Sequence, residues 1–296
     1  MKKFTVGEND AGQRLDKFLA KLFKDAPMGL IYKWIRKKRV KVNGKKQEIS
    51  YMLQRDDLLE LYINDEFFAE DKKVVKKSLP LDVVYEDKNL LIADKPSGIA
   101  AHGEADCLLD RVQSYLFEKG EYNPDQEHTF APSLCNRIDK NTSGLVIAAK
   151  NAATLRTINE KLRSREIDKF YVAKVEGKLT PDRGIIEGYT KKNEGERKVY
   201  FFKTQVPGSK YCKTIYRVLS EGMVEVQLVT GRTHQIRASF AAIGHPLVGD
   251  VKYGAPKNNG KDFQMLRAYK IEFNFKTPAD GLEYLNGKTI STDYKF

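Results

Sequence analysis

One aspartate occupies a short polar turn between two cations, immediately before a continuous apolar stretch. Arg137 and Lys140 flank Asp139, and residues 145–149 are all apolar. A strand over this stretch would hold the carboxylate rigidly at a sheet edge, and the two positive charges favour its ionised form. Such a carboxylate suits covalent or acid–base chemistry on a polyanion. Taken alone, the pattern is also ordinary turn chemistry, because Asp before Thr-Ser-Gly is common in turns.

The charge balance indicates a polyanionic partner and is unevenly distributed. The 296 residues carry 52 Lys and Arg against 40 Asp and Glu, a net charge of +12. Residues 1–62 hold 15 basic and 8 acidic side chains, so more than half of the excess lies in about a fifth of the chain. A generally basic surface explains the total but not this asymmetry, which favours an electrostatic binding segment at the N-terminus.

The sequence lacks the features of secreted and membrane proteins. No apolar segment follows Met1, the longest apolar run covers only residues 145–149, and the three cysteines have no paired spacing. We therefore predict a cytoplasmic protein without membrane association, and we expect a monomer. The four histidines lack metal-site spacing and no glycine-rich phosphate loop follows a strand, so we predict neither a metal nor a cofactor.

Two short helices and a hairpin are predicted in the N-terminal segment. Apolar residues recur at helical spacing in 15–22 and 31–35, and Asn43-Gly44 after the alternating residues 40–42 is typical of a type I′ turn. One face of the second helix is predicted to be almost wholly cationic. Its cations have no acidic partner four residues away, so they would repel one another without a ligand. We predict that they bind RNA phosphates. The residues are Lys33, Arg36, Lys37, Lys38, Arg39 and Lys41.

This segment resembles the alpha-L RNA-binding module named after ribosomal protein S-four. The module's R-L-D-x-F-L motif appears at residues 14–19, and its V-x-V-N-G motif appears at residues 40–44. The resemblance covers about residues 13–62 and implies RNA binding. Asp16 lies at the start of the first helix, where the helix dipole favours a negative charge, so we assign it a structural role.

The remaining chain is predicted to form a second domain. Residues 63–80 are expected to be a linker, in which the sequence does not decide between a helix and an edge strand. Residues 81–296 show short strands dispersed among helices without a regular βαβ rhythm. We therefore predict an α+β protein in which a small alpha-L module precedes a mixed, largely antiparallel α+β domain.

Four motifs in the second domain together resemble the RluA-like RNA pseudouridine synthases. Residues 136–144 read N-R-I-D-K-N-T-S-G, against H-R-L-D-x-x-T-S-G in the family. Residues 169–173 read K-F-Y-V-A, residues 231–237 read G-R-T-H-Q-I-R, and residues 244–254 read G-H-P-L-V-G-D-V-K-Y-G. The order and spacing of the motifs extend the resemblance over roughly residues 81–275.

The resemblance implies an isomerase with three catalytic residues. Asp139 corresponds to the nucleophile that detaches uracil from its ribose, after which the base rotates and rejoins through carbon 5. Arg237 corresponds to the partner of that carboxylate, and Tyr171 to a ring that stacks on uracil where a proton must move. Whether attack begins at the sugar or at the base stays open.

The resemblance also implies contacts with the substrate. Arg137 either fills the space that a flipped nucleotide leaves in the RNA stack or contacts phosphate only. Within the G-R-T-H-Q-I-R motif, Arg232, His234 and Gln235 are assigned to substrate binding. Asn136 replaces the family's usual His, so a role for that His in positioning RNA is not carried over to this chain.

The sequence therefore predicts an RNA pseudouridine synthase that acts on uridine in structured RNA. Large-subunit ribosomal RNA is the expected substrate, because an alpha-L module joined to this domain resembles the ribosomal members, and transfer RNA is the alternative. A non-catalytic RNA-binding or ribosome-assembly factor would not need Asp139, Tyr171 and Arg237 together. A hydrolytic glycosylase would need a second catalytic carboxylate paired with Asp139, and the sequence offers no evident one.

Overall fold

The structure is a computed structural model that describes residues 1–68, 80–257 and 263–296. In the N-terminal module, two helices pack on a small sheet around an apolar core. Its elements are β1 (Lys2–Thr5), α1 (Leu15–Leu22), α2 (Met28–Arg36), β2 (Val40–Val42) and β3 (Leu58–Leu61). The sheet is antiparallel with the order β1-β3-β2.

The turn after β2 has the geometry that its sequence predicts. Asn43 and Gly44 both have positive φ angles, of 51° and 74°, as a type I′ turn requires. Val42 and Lys45 exchange backbone hydrogen bonds of 2.9 and 3.0 Å across it. The predicted hairpin turn is therefore confirmed.

The predicted cations lie mostly beyond the second helix rather than along it. α2 ends at Arg36, so residues 37–39 form the turn that leads into β2. Lys38 has a φ of 60°, a left-handed conformation that stops the helix. The cluster is thus presented by a helix end and a turn, rather than by one helix face.

The first residues of the predicted linker pack against the N-terminal module. Ile63 is buried in its core, and a short 3₁₀ helix spans Asp65–Phe68. The Phe67 ring lies 5.0 Å from the Trp34 ring, and Phe68 lies 5.1 Å from Phe23. Residues 63–68 therefore extend the core of the module, and residues 69–79 of the predicted linker lie outside the described residues.

One large sheet organises the second domain. Its strands are β4 (Val83–Glu86), β5 (Leu90–Lys95), β6 (Ser133–Leu134), β7 (Ser143–Ala149), β8 (Ile167–Lys174), β9 (Arg183–Asn193), β10 (Lys198–Phe202), β11 (Lys210–Ser220), β12 (Met223–Leu228), β13 (Leu266–Phe273) and β14 (Thr289–Ser291). Within the described chain the order is β10-β9-β11-β12-β8-β13-β7-β5-β4, with β6 beside β7 and β14 beside β13. Among the strands of the described residues, only β7 and β13 pair in parallel, so the predicted α+β, largely antiparallel architecture is confirmed.

In the part of the chain that the structure describes, three α-helices cover the large sheet. They are α3 (Leu108–Glu118), α4 (Ala152–Arg163) and α5 (Gln235–Ala242). α3 and α5 contribute to the core on one face of the sheet, and α4 contributes to the core on the other. This explains the apolar run after Asp139: all seven residues of β7 are buried, because both of its faces are covered. In the described ranges, no helix is both long and apolar enough to cross a membrane.

Polar contacts join the N-terminal module to the large domain. The Asn9 side chain donates to Glu127 at 2.7 Å and accepts from the Ala152 backbone N–H at 3.0 Å, at the start of α4. Gln13 donates to Thr129 at 3.0 Å. The Phe4 ring meets the His128 ring edge-on, with 5.1 Å between centroids. The loop around residues 127–129 therefore forms a docking site for the module.

Candidate active site

Asp139 lies in a turn that the neighbouring strands fix. The Thr142 N–H donates to the Asp139 carbonyl at 3.0 Å, which closes the turn directly before β7. Gly144 has a φ of 114°, and a side chain there would collide with the Ala268 backbone of β13. A glycine is therefore required for β13 to lie beside β7, and this pairing holds the Asp139 turn against the sheet.

A buried lysine clamps the same turn from the opposite side. Lys95 is fully buried at the end of β5, and its ammonium group donates to the carbonyls of Pro96, Ile99 and Lys140 at 2.7–2.8 Å. These three acceptors satisfy the three N–H groups of the side chain. Burial lowers the pKa of Lys95 to about 8, although the negative charges of Asp139 and Asp94 act in the opposite direction and raise it.

A chain of charges connects Asp139 to a second, buried carboxylate. Arg237 on α5 places one nitrogen, Nη1, 3.3 Å from the Asp139 carboxylate. Its Nε and Nη2 donate to the two oxygens of Asp250 at 2.7 and 2.8 Å. Burial alone would lower the pKa of Arg237, but Asp250 and Asp139 outweigh it and the net shift is upward. Asp250 thus fixes the guanidinium that faces Asp139.

A cavity of about 230 Å³ opens beside Asp139. The structure brings to its wall all seven residues that the sequence assigns to catalysis or substrate binding. They are Arg137, Asp139, Tyr171, Arg232, His234, Gln235 and Arg237. Tyr171 is buried, and this burial, followed by the charge of Asp139, raises the pKa of its hydroxyl. The phenol therefore stays protonated at physiological pH.

Comparisons with known proteins agree with this arrangement. The family model described as RNA pseudouridylate synthase matches residues 89–242, and the S4 domain model matches residues 13–59. A Mycoplasma capricolum protein named an uncharacterized RNA pseudouridine synthase is 37% identical over 98% of this chain and 97% of its own length. The chain belongs to the RNA pseudouridine synthase family.

Further relatives of this pseudouridine synthase carry more specific names. Ribosomal large subunit pseudouridine synthase D of Yersinia pestis is 31% identical over 98% of this chain and 95% of its own length. Ribosomal large subunit pseudouridine synthase C of Haemophilus ducreyi is 31% identical over 94% of this chain and 89% of its own length. The solved structure of human RNA Pseudouridylate Synthase Domain Containing 4 shares the fold, with a TM-score of 0.55, 21% identity, and coverage of 72% of this chain and 88% of that one. The predicted RluA-like membership and the predicted isomerase class are confirmed.

A hydrogen-bond chain orients His234 in the synthase. The Val199 N–H on β10 donates to the Tyr253 hydroxyl oxygen at 2.9 Å, and that hydroxyl lies 2.9 Å from Nδ1 of His234. Because the oxygen already accepts from Val199, the hydroxyl proton is available for Nδ1. With the hydroxyl donating to Nδ1, the neutral ring carries its proton on Nε2, which lies 3.9 Å from Asp139.

His234 is also kept neutral. Burial lowers its pKa, and the positive charges of Arg237 and Lys252 add to this effect against the opposing charge of Asp139. The neutral ring can therefore offer an N–H to a ligand near Asp139.

Among the residues that the structure describes, no group of three His, Cys, Asp or Glu side chains is placed to hold a metal ion.

Gln235 lines the cavity of the synthase, but its side chain is engaged within the protein. Its oxygen accepts from the Thr230 hydroxyl and the Arg232 N–H, at 2.8 and 3.0 Å. Its nitrogen donates to the Lys213 carbonyl and the Thr214 hydroxyl, both at 3.0 Å. These bonds tie the G-R-T-H loop to β11. The predicted contact of Gln235 with substrate stays a prediction.

Three residues without a role predicted from the sequence support the site. Asp250 and Tyr253 lie in the G-H-P-x-x-G-D-x-x-Y-G motif, which was recognised only as a whole. Lys95 ends an apolar strand, where a lysine is unusual because its charge must be satisfied internally. Asn136, which replaces the usual His, accepts a hydrogen bond from the Ile147 N–H at 2.8 Å and so supports the start of the Asp139 turn.

The six predicted RNA-binding cations lie in the N-terminal module, away from the cavity lining. Lys33, Arg36 and residues 37–39 are exposed, and the Lys41 ammonium lies 5.2 Å from the centre of the Tyr62 ring. Within the described ranges, no carboxylate lies within 4.0 Å of any of the six. They form an uncompensated positive surface, which we call the cationic turn.

Proposed function

We propose that this pseudouridine synthase converts uridine to pseudouridine in large-subunit ribosomal RNA, with Asp139 as the nucleophile. The observation that carries the proposal is the convergence of Asp139, Arg237 and Tyr171 on one cavity. The choice of RNA rests on the relatives, which cover nearly the full length of this chain and are named for the large ribosomal subunit.

In the proposed mechanism, cleavage of the glycosidic bond leaves positive character on the ribose. The Asp139 carboxylate captures or stabilises that charge. Arg237, whose Nη1 lies 3.3 Å from this carboxylate, holds the carboxylate in position. The Tyr171 ring offers a stacking surface for the detached uracil. The base then rotates, and carbon 5 forms a bond to the ribose carbon as that carbon separates from Asp139. Carbon 5 gives its proton to water, and N1 of the base, which had held the ribose, takes up a proton from water.

The cationic turn supplies affinity in this proposal. It lies on the S4 module, and its exposed charges can replace the counterions of RNA phosphates. The contacts of Asn9 and Gln13 with the large domain hold the module beside the domain that carries the cavity. RNA held by the turn is therefore kept at a fixed position relative to the large domain.

Tritium release tests the activity. We expect the protein to release tritium to water from a large-subunit ribosomal RNA transcript labelled at carbon 5 of uridine, because the new bond displaces that hydrogen. No free uracil should appear. A labelled transfer RNA transcript serves as the comparison substrate and should release far less. Free uracil would favour a glycosylase, and no release from any transcript would favour a non-catalytic RNA-binding factor.

Neutralising the cationic turn should weaken RNA binding. We expect the variant Lys37→Gln/Lys38→Asn/Arg39→Gln to show lower affinity for the transcript. The slope of the logarithm of the binding constant against the logarithm of the salt concentration should become less steep by about 0.7–0.9 for each lost phosphate contact. Asn is chosen at position 38 because it tolerates the left-handed backbone. The measurement is fluorescence anisotropy at several salt concentrations.

The matched control removes three exposed lysines elsewhere, Lys88, Lys276 and Lys295. It changes the net charge by the same amount without touching the module. Equal losses in the two variants would mean that total charge, rather than the cationic turn, determines affinity.

A further inference from the structure

We propose that one edge of the large sheet is a second RNA-binding surface, continuous with the rim of the active-site cavity. This basic edge comprises residues 183–213, which include β9, β10 and the start of β11. The inference rests on the proposed function and extends it, because it adds a grip on the RNA that lies next to the reacting uridine rather than on the N-terminal module.

The basic edge carries the whole charge excess of the large domain. Residues 183–213 hold eight basic and three acidic side chains, whereas the rest of residues 81–296 holds 25 of each. A solvated surface would be expected to mix both signs throughout, as the rest of this domain does. Concentration of the excess in one tenth of the chain indicates a site for a polyanion.

Most of these cations have no carboxylate partner. Lys192 lies 2.7 Å from Glu194, and Lys213 lies 3.7 Å from Glu187. For the other six, no carboxylate of the described residues lies within 4.0 Å. They are Arg183, Lys191, Arg197, Lys198, Lys203 and Lys210. Five of the six are exposed and Lys198 is half-buried, so their charges are available to a ligand.

Aromatic rings alternate with these charges on the outer face of the edge. Lys191 lies directly opposite Tyr200 across the β9–β10 pair, so the two side chains share a face. Tyr189 lies opposite Tyr211 across the β9–β11 pair, with 5.9 Å between ring centroids. Tyr200 is 39% exposed, and the Lys198 ammonium lies 5.6 Å from its ring centre. Lysines beside exposed tyrosines bind phosphates and unstacked bases together.

Hydrogen bonds connect the basic edge to the cavity rim. Arg232, which lines the cavity, donates from Nε to the Tyr211 carbonyl at 2.9 Å. The Lys213 N–H donates to the Thr230 hydroxyl at 2.9 Å, at the start of the same loop. A strand of RNA leaving the cavity past Arg232 therefore meets the face that carries Tyr211, Tyr189 and Lys191.

An acidic protein is the other class of ligand that such charges could attract. The exposed ring of Tyr200 next to lysines favours RNA, because every base offers a flat surface to an aromatic ring. Attachment to the rim favours RNA as well, since the substrate of the cavity is already a nucleotide within a longer chain. We therefore assign RNA to the basic edge.

Two variants separate the charge contribution from the aromatic one. Lys191→Gln/Lys198→Gln/Lys210→Gln should lower affinity for the large-subunit ribosomal RNA transcript about tenfold and flatten its salt dependence. Tyr200→Leu should also lower affinity, by about tenfold for one lost stacking contact, but should leave the salt dependence as in the native protein. The Lys88→Gln/Lys276→Gln/Lys295→Gln variant is the charge-matched control and should bind like the native protein.

The outcomes distinguish this inference from the proposed function. If the native protein releases tritium but neither basic-edge variant binds RNA more weakly than the control, the basic edge does not bind RNA and the proposed function stands. If the triple variant and the control lose affinity equally, the effect belongs to net charge and the inference is also wrong. Absence of tritium release from the native protein would instead refute the proposed function.

Discussion

The Asp139→Asn variant is expected to lose tritium release by a factor of about 10⁶, the order seen when the nucleophile of a covalent mechanism is removed. Asparagine has nearly the same shape but cannot form or stabilise the ribosyl bond as a carboxylate does. The fold should persist, because Arg237 keeps its two hydrogen bonds to Asp250. Lost attraction at a partly exposed carboxylate costs about 1 kcal/mol or less.

The measurement compares tritium release at saturating RNA with unfolding in urea. Asp280→Asn is the matched control, because Asp280 is exposed and its φ of 46° is a conformation that asparagine tolerates. We expect the control to match the native protein in both assays. Native-like tritium release by Asp139→Asn would mean that Asp139 is not the nucleophile, irrespective of the roles of the other cavity residues.

Local patterns in the sequence were sufficient for much of the fold. The Asn43-Gly44 turn followed from the need for two positive φ angles. Asn151 is a residue type that favours a helix start, and its side chain accepts from the Thr154 N–H at 2.8 Å at the beginning of α4. These features depend on residues within four positions of one another, so the sequence displays them directly.

Features that depend on distant residues were not predictable in the same way. The helical spacing of Leu155, Ile158 and Leu162 indicates an apolar inner face for α4, but Leu155 and Leu162 are only half-buried. Lys161 is buried instead, because Glu166 and Thr277 satisfy its ammonium group at 2.5–2.9 Å. No periodicity in the helix reveals a partner 116 positions away.

The same limit applies to the candidate site. The motifs predicted which residues would meet at the cavity, since each is a short run of recognisable residues. They did not predict how the residues are held. The bond from Val199 to Tyr253, and from there to His234, depends on β10 lying against α5. That packing is a property of the sheet order and not of any single segment.

The Arg237–Asp250 pair offers a test that separates stability from catalysis. Asp250→Leu should lower the free energy of unfolding by about 3–5 kcal/mol, because it leaves a buried guanidinium with one partly exposed partner, Asp139. The double variant Arg237→Met/Asp250→Leu should regain most of that stability, since replacing both members of a buried ion pair by apolar residues is often neutral. Urea unfolding followed by far-ultraviolet circular dichroism gives the comparison, because the single tryptophan, Trp34, reports only on the N-terminal module.

Activity should not return with stability. The double variant lacks the guanidinium that lies 3.3 Å from Asp139, so tritium release should stay at least about 10²-fold below the native rate. If release returned together with stability, Arg237 would serve only to neutralise Asp250, and the carboxylate of Asp139 would need no cationic partner. If the double variant were as unstable as Asp250→Leu, the lost stability would come from packing around residue 250 and not from the unpaired charge. We expect a stable and inactive double variant. That result would mean that the Arg237 guanidinium has two separate roles: it neutralises the buried charge of Asp250, and it positions Asp139 for the reaction.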